Sequence, residues 1–220
     1  MKAAGREIRG QYRLNLNRIV WLFMLCSFLG YLIETVDVLV GKGAPGRQGL
    51  LYGPLAPVYG LGALLFALLY SLFRNRNELF SFVLLCAAGA VFEYLCSFMQ
   101  EKLFGTVSWE YTGFGFDWDG RTNLVLALCW GALGLFMVKI GYPLFCRGLD
   151  KIPRGIQTAV SIMLLIFMIG NLFLSGAAIW RQAERREHVP PNGRFEVFLD
   201  KTYPDERLKK TFPNMKAVKE

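Results

Sequence analysis

Three carboxylates lie inside long apolar stretches of this sequence, where charged side chains are rare: Glu34, Asp37 and Glu93. A charged side chain within a lipid bilayer costs about 3 kcal/mol even on the mildest scale, so such residues usually face protein or water and mark ion or substrate paths. Glu34 and Asp37 are three residues apart and therefore share one helical face. The pattern predicts buried carboxylates that bind a cation, carry a proton or contact a polar head group. The structural alternative is that they lie near helix ends and reach the lipid head groups.

The Gly- and Pro-rich stretch 47–60 is the second candidate site. Gly53 and Pro57 fall on one helical face, and proline frees backbone carbonyls that neighbours or water must satisfy. A helix broken in this way can coordinate a polar ligand; alternatively, these residues only shape a kinked, tightly packed helix. Arg47, at the mouth of the stretch, is a candidate partner for Glu34 or Glu93. The predicted substrate- or ion-binding residues are Glu34, Arg47, Tyr52, Gly53, Pro54, Pro57 and Glu93.

The elements that must position these residues are long apolar blocks. Of the 220 residues, 54% are hydrophobic and 19% are charged, whereas about 25% are charged in a soluble domain. A helix needs about 20 apolar residues to cross the hydrocarbon core of a bilayer. The blocks that meet this length are Ile19–Val40, Leu50–Phe73, Leu79–Met99, Leu124–Phe145 and Ala159–Trp180. The sequence therefore predicts an all-α fold, a polytopic transmembrane bundle of about five membrane-spanning helices.

The net charge of +8 is spread unevenly over the connections between these blocks. Basic residues favour the cytoplasmic side of a membrane, which places the N-terminus, residues 74–78 and residues 147–154 inside. The C-terminal tail then lies outside, although it is rich in Lys and Arg. In the alternative topology, block Leu50–Phe73 dips into the membrane and returns on the same side, which puts the tail inside but moves two basic connections outside. We favour five crossings.

The connection between the third and fourth blocks, Gln100–Asn123, is unusually aromatic. Amphipathic aromatic rings favour the membrane–water interface. We therefore expect this loop to fold back onto the bilayer surface and to cap the bundle, with its charged side chains available to pair or to bind. The predicted loop candidates are Glu101, Trp109, Glu110, Tyr111 and Arg121.

The sequence lacks the motifs that are typical of several classes of function. It contains no P-loop, nucleophile elbow, H-E-x-x-H or G-x-G-x-x-G pattern, and His188 is the sole histidine. The five cysteines form no CxxC pair, which argues against a zinc site or a disulfide framework. The basic residues flank apolar blocks, which indicates orientation in a membrane rather than binding of nucleic acid. We expect no catalytic residue, no metal and no cofactor, and the sequence leans towards a protein that is not an enzyme.

The chain divides into a basic cytoplasmic segment at 1–18, a transmembrane helical domain at 19–180 and a charged C-terminal tail at 181–220. Prolines break the tail and leave room for two short amphipathic helices, near Phe195–Asp200 and Pro204–Lys210. Such a tail could lie on the membrane surface or bind a partner. A solvated, partly ordered terminus is the alternative.

Several stretches of the chain resemble one bacterial membrane family. These stretches are Phe28–Thr35, Leu51–Gly60, Phe92–Leu95, Gln100–Gly105, Trp109–Tyr111 and Gly120–Arg121. In this order they resemble the ABC-transporter permeases of "type IV", from about Arg18 to the end of the fourth block. The chain departs from the family pattern ahead of Leu51, where Arg47 stands one residue further away, and at Glu110, where the family more often has Asp. The resemblance implies a multi-pass permease of the bacterial plasma membrane with an ATPase partner.

Three functions are compatible with these features. The first is a permease-like transporter subunit for an unidentified small solute, completed by an ATPase or by homo-oligomerisation because five helices are few for a solitary transporter. The second is an intramembrane enzyme or lipid-binding protein, in which the carboxylates act as acid and base and the aromatic loop holds a head group. The third is a membrane scaffold or sensor that acts through its tail. The resemblance and the buried acids favour transport.

Overall fold

The structure, a computed structural model, describes residues 14–40, 50–73 and 76–218, without the side chains of residues 37–40. The helices within these ranges are α1 Leu16–Val40, α2 Pro57–Phe73, α3 Glu78–Phe104, α4 Leu124–Phe136, α5 Tyr142–Leu149, α6 Arg154–Arg186, α7 Arg194–Thr202 and α8 Asp205–Thr211. A π-helical turn, Met137–Gly141, joins α4 to α5. Four two-residue strands form two antiparallel pairs: β1 Thr106–Val107 with β4 Lys216–Ala217, and β2 Asp117–Trp118 with β3 Thr122–Asn123.

Four segments of the described chain are long and apolar enough to cross a bilayer, which confirms the predicted all-α membrane bundle. They are Leu16–Val36, Glu78–Phe104, Leu124–Leu149 and Arg154–Arg186. The second apolar block differs from the prediction, since its helix α2 has only 17 residues and is about 25 Å long. Residues 50–56 are not helical because prolines lack the backbone N–H and disfavour helical geometry in the preceding residue. We call Leu50–Ala56 the unwound segment.

Small residues allow neighbouring helices to approach closely in antiparallel pairs. Gly60 of α2 lies so close to α1 that an added Cβ would stand 2.3 Å from Ser27 Oγ. Gly131 of α4 faces α3 in the same way, with a hypothetical Cβ 2.1 Å from Cys86 Sγ. In lipid, no hydrophobic driving force holds helices together. Small residues such as glycine let the helices approach closely, and van der Waals packing then stabilises the contact. Gly60 and Gly131 therefore allow the close spacing of these two helix pairs.

Helices α1 and α6 run parallel, and this fixes the two ends of the bundle. Asn17 Nδ2 of α1 donates to Thr158 Oγ1 of α6 at 3.1 Å. Arg18 pairs with Asp150 at 2.9 Å in the turn before α6. We call this end, with residues 76–78 and the connection 149–154, the basic end; the loop 105–123 and the tail lie at the opposite, loop end. At the basic end, the ring of Phe73 at the end of α2 lies beside that of Phe80 at the start of α3. The count of five crossings stays a prediction, because α2 is shorter than the four segments of bilayer length.

The C-terminal tail is docked against the bundle. Helices α7 and α8 form where the two short amphipathic helices are predicted, and α6 itself continues past Trp180 to Arg186. Leu199, Tyr203 and Leu208 are at most 2% exposed and pack with Leu51 of the unwound segment. Because these apolar side chains are removed from water, the tail is held by hydrophobic burial and is not a solvated terminus.

A cluster of charges fastens the tail to the end of α6. Arg181 is 2% exposed and donates to both carboxylate oxygens of Asp200, from Nε at 3.0 Å and from Nη2 at 3.1 Å. Arg185 donates to the same carboxylate at 2.6 Å. The hydrogen bonds from Arg181, followed by those from Arg185, lower the pKa of Asp200 below its ordinary value against the opposing effect of desolvation. Arg181 also pairs with Glu184 at 2.9 Å, since a guanidinium this buried needs carboxylate partners.

The substitution Asp200→Asn should loosen the tail, because it leaves Arg181 buried with a weaker acceptor. We expect a loss of about 2 kcal/mol in tail docking, measured as faster trypsin cleavage between Arg186 and Arg194 in detergent. Acidification should have the same effect: the contribution of Asp200 is present above its unfolded pKa of about 3.9 and is lost as the pH falls below that value.

Asp205→Asn is the matched control, because Asp205 pairs only with Arg185 among these arginines and is 53% exposed. Exposed pairs contribute little. Equal cleavage of the two variants would contradict the role given to Asp200.

Candidate functional site

A polar cavity of about 180 Å³ lies at the loop end of the bundle. Six parts of the chain meet there: α1, the end of the unwound segment, the start of α2, the C-terminal half of α3, the loop and the tail. The lining residues are Glu34, Ala56, Pro57, Val58, Cys96, Gln100, Ser108, Trp109, Phe212, Asn214 and Met215. Three predicted site residues, Glu34, Pro57 and Trp109, are therefore brought together from distant parts of the sequence.

The unwound segment reaches this cavity at its last residue, Ala56, and hydrogen-bonds to α6. The Tyr52 N–H donates to Asn171 Oδ1 at 3.2 Å, and Asn171 Nδ2 donates back to the Tyr52 carbonyl at 2.6 Å. The Leu51 N–H donates to Ser175 Oγ at 3.0 Å. Backbone groups within a membrane must be satisfied by protein when no helix satisfies them. Asn171 and Ser175, one helical turn apart, take the place of the missing helical bonds.

The other predicted residues of this stretch lie away from the cavity lining. The Tyr52 hydroxyl lies 2.7 Å from the Tyr203 hydroxyl of the tail. Gly53 takes a φ of +80°, a conformation that glycine adopts without strain, and Pro54 is exposed. These three residues shape the turn and connect it to the tail. Arg47 and the side chain of Asp37 lie outside the described residues, so the pairing of Arg47 with a carboxylate stays a prediction.

Glu93 is 6% exposed and lies beneath the loop. Its carboxylate accepts from Thr122 Oγ1 at 2.8 Å and from the Tyr111 hydroxyl at 3.4 Å. Cys96 and Gln100 follow on the same side of α3 and line the polar cavity. Glu93 thus holds the loop to α3 just below the cavity, while Glu34 reaches the cavity itself.

Tyr111 connects the two carboxylates electrostatically. Burial is the largest cause that raises the pKa of Tyr111 above its ordinary value, followed by the nearby charge of Glu93; Tyr59 and Glu34 act in the same direction. The hydroxyl therefore stays protonated and remains a hydrogen-bond donor to Glu93 at neutral pH. Glu34 and Glu93, 59 positions apart in sequence, both act on this one side chain.

Arg121 also fastens the loop to α3, one helical turn after Glu93. It pairs with Glu101 and donates to Ser97 Oγ at 3.1 Å. Its guanidinium also lies 5.7 Å from the ring centroids of both Tyr94 and Phe98. A planar guanidinium can make the ion pair and stack on aromatic rings at the same time. Glu101 and Arg121, both predicted loop candidates, therefore form a pair that closes the loop.

The two remaining loop candidates, Trp109 and Glu110, lie in different surroundings. Trp109 Nε1 donates to the Arg121 carbonyl at 3.0 Å, which turns the indole towards the cavity. Glu110 is exposed and accepts only a local hydrogen bond, from Thr112 Oγ1 at 3.3 Å. The loop thus presents Trp109 to the cavity and Glu110 to the outside.

Sequence reasoning missed several residues of the site. Gln100 and Ser108 exchange hydrogen bonds of 2.9 and 3.0 Å across the cavity wall, and Thr122 holds Glu93. Asn171 is a further such residue, and its position in an apolar helix is a signal that it satisfies another polar group. No pattern in the tail indicates that Phe212–Met215 reach the cavity.

The hydroxyl of Tyr111 should ionise only well above pH 10 in the folded protein. The phenolate absorbance of the wild type minus that of Tyr111→Phe reports this one hydroxyl. We expect this difference to increase only at pH values well above 10, since burial and the two carboxylates disfavour the phenolate. Stability linked to this group is present below the unfolded pKa of about 10 and is lost as the pH rises above it. In denaturant the same difference should titrate near pH 10; a native titration there would show that Tyr111 is not buried against Glu93.

Comparison with known proteins agrees with the fold. Residues 21–176, more than two-thirds of the chain, match the model of one family. No curated protein and no solved structure matches the chain. The matched range includes α2 to α5, most of α1 and α6, the unwound segment and the loop. With its helices of bilayer length, the chain is a multi-pass membrane protein that belongs to the family described as "Putative ABC-transporter type IV".

Proposed function

We propose that this chain is the membrane-spanning, permease-like subunit of a transporter that moves a small polar solute with the help of an ATPase subunit. Membership of a family described as ABC-transporter type IV supports a role in transport. The bundle itself supplies the membrane-spanning part, since its helices are long and apolar enough to cross a bilayer. The solute binds in the polar cavity. The protein lies in the plasma membrane of a bacterium.

The unwound segment beside the polar cavity is the observation that carries this proposal. Broken helices near the membrane midplane provide the polar backbone that transporters use to hold solutes. Here the break ends at Pro57, which lines the cavity together with Glu34 and Gln100. The volume of about 180 Å³ is below the roughly 300–1,000 Å³ of pockets for drug-sized ligands. We therefore propose a small solute with hydrogen-bonding groups.

Glu93 serves a different purpose from Glu34 in this proposal. Its carboxylate is occupied by Thr122 and Tyr111, and it is almost fully buried. It holds the loop closed at the base of the cavity, so movement of the loop requires these hydrogen bonds to break. Glu34, which lines the cavity, is the carboxylate that contacts the solute.

The ATPase would bind at the basic end. The sequence contains no P-loop, so hydrolysis of ATP requires another chain. Arg76, Lys151 and Arg154 lie in the two connections of this end, and basic connections favour the cytoplasm, where ATP is present. The N-terminus is then cytoplasmic, and the polar cavity faces the other side of the membrane.

Lipid binding is a second candidate function, and an apolar groove favours it. The groove has a volume of about 550 Å³ and runs between α1, α2 and the continuous helical segment made of α4, the π-helical turn and α5. Tyr59 lines the groove, and the two residues before it line the polar cavity. A lipid could therefore place its head group in the cavity and an acyl chain in the groove. This arrangement would suit a lipid-binding protein or a transporter of lipids.

Purification from the native bacterial membrane in a mild detergent, followed by mass spectrometry, separates these functions. We expect a stoichiometric chain with a P-loop to remain bound. Reversing charge at the exposed basic end, with Lys151→Glu and Arg154→Glu together, should reduce its recovery at least about tenfold, since like charges across an interface cost several kcal/mol.

Glu34→Gln is the matched control, because it lies at the opposite end and should leave recovery unchanged. A protein that purifies without an ATPase but with one specific lipid would contradict the ATP-driven permease and support lipid binding. Light scattering of the same sample gives the number of copies of this chain.

A further inference from the structure

The end of the tail forms part of the wall of the polar cavity. Phe212, Asn214 and Met215 line it opposite the start of α2. Directly after them, strand β4 pairs with β1 at the beginning of the loop, with Thr106 opposite Ala217 and Val107 opposite Lys216. The Val218 N–H donates to the Gly105 carbonyl at 3.0 Å. The cavity is therefore closed on this side by a segment that lies outside the range matched by the family.

The tail is held unequally on the two sides of Phe212. Up to Thr211 it is anchored by buried side chains, with Tyr203 1% and Leu208 0% exposed, and by the hydrogen bonds of Asp200 with Arg181. After Phe212 the attachment is a two-residue strand pair whose tail residues, Lys216–Val218, are exposed. Two-stranded pairs are marginal in water, and weakly packed segments open at small cost in free energy.

We propose that Phe212–Val218 is a lid that opens and closes the polar cavity from the loop end. Its hinge is at Phe212–Pro213, next to the firmly docked helix α8, and its latch is the pairing of β4 with β1. Opening breaks the latch without moving α7 or α8. That the lid admits a solute rests on the proposed function; that it opens does not, and its movement is measured without a solute or an ATPase.

The latch can be locked with a disulfide. Because Gly105 and Val218 form a hydrogen-bonded pair, the next pair, Thr106 with Ala217, is a non-hydrogen-bonded one, in which side chains are closest. The variant Thr106→Cys/Ala217→Cys is made in the full chain. Cys96, which lines the cavity, is kept as the reporter, and the other native cysteines are replaced by alanine.

The rate at which a small, water-soluble maleimide modifies Cys96 is measured in detergent by peptide mass spectrometry, before and after reduction. We expect the oxidised, locked protein to react at least about tenfold more slowly than the same protein after reduction. The single variants Thr106→Cys and Ala217→Cys, exposed to the same oxidant, should react like the reduced protein. The disulfide is identified in the same peptide maps.

Three other outcomes contradict the lid. Fast modification in both states would show that the cavity is open without movement of the tail. Slow modification in both states would show that the segment does not open. Failure of the disulfide to form would contradict the pairing of β1 with β4. If the lid behaves as expected but no ATPase binds the chain, the lid stands and the permease proposal fails.

Discussion

Backbone polar groups inside a membrane need partners from the protein, and this constraint governs the structure around the unwound segment. A helix satisfies its own backbone, whereas an unwound stretch cannot. Here Asn171 supplies a donor and an acceptor to Tyr52, and Ser175 supplies an acceptor to Leu51. The shortened helix α2, the polar cavity beside Pro57 and the docking of the tail on Leu51 all follow from this break.

Block length predicted the helices, and residue type indicated a broken helix as one of two alternatives for the second block, because both depend on local sequence. The length of an apolar block decides whether it can span a bilayer, and Gly53 with Pro54 and Pro57 disfavours a helix wherever it occurs. The partner of the break could not be predicted in the same way, since Tyr52 and Asn171 are 119 positions apart. Nothing in either segment specifies the other until the helices pack.

The loop and tail show the same division between local and distant information. Aromatic residues predicted a loop that caps the bundle, and the charges of Glu101 and Arg121 were expected to be available for pairing. Which charges pair depends on how the loop lies along α3, and here the two meet beside Ser97. The sequence did not decide whether the tail docks or stays solvated. The burial of Leu208 depends on the packing of α8 against α6, which the local sequence does not specify.

Two spaces that differ in polarity lie side by side in this bundle. The polar cavity holds Glu34, whereas the apolar groove is lined mainly by aliphatic and aromatic side chains. Tyr59 lies so close to Gly30 that an added Cβ at Gly30 would stand 2.2 Å from its ring. That close approach places the Tyr59 ring at the wall of the groove, next to the cavity residue Val58.

Hydrogen exchange at the unwound segment tests the central claim most directly. In the wild type the Tyr52 amide should be protected, and Asn171→Leu should speed its exchange at least about tenfold, which corresponds to roughly 1.4 kcal/mol. The Ala56 amide, which donates to the Ser27 carbonyl at 2.9 Å, should keep its protection and serves as the internal reference. Unchanged exchange of Tyr52 in Asn171→Leu would contradict the account, because the break would then not depend on α6.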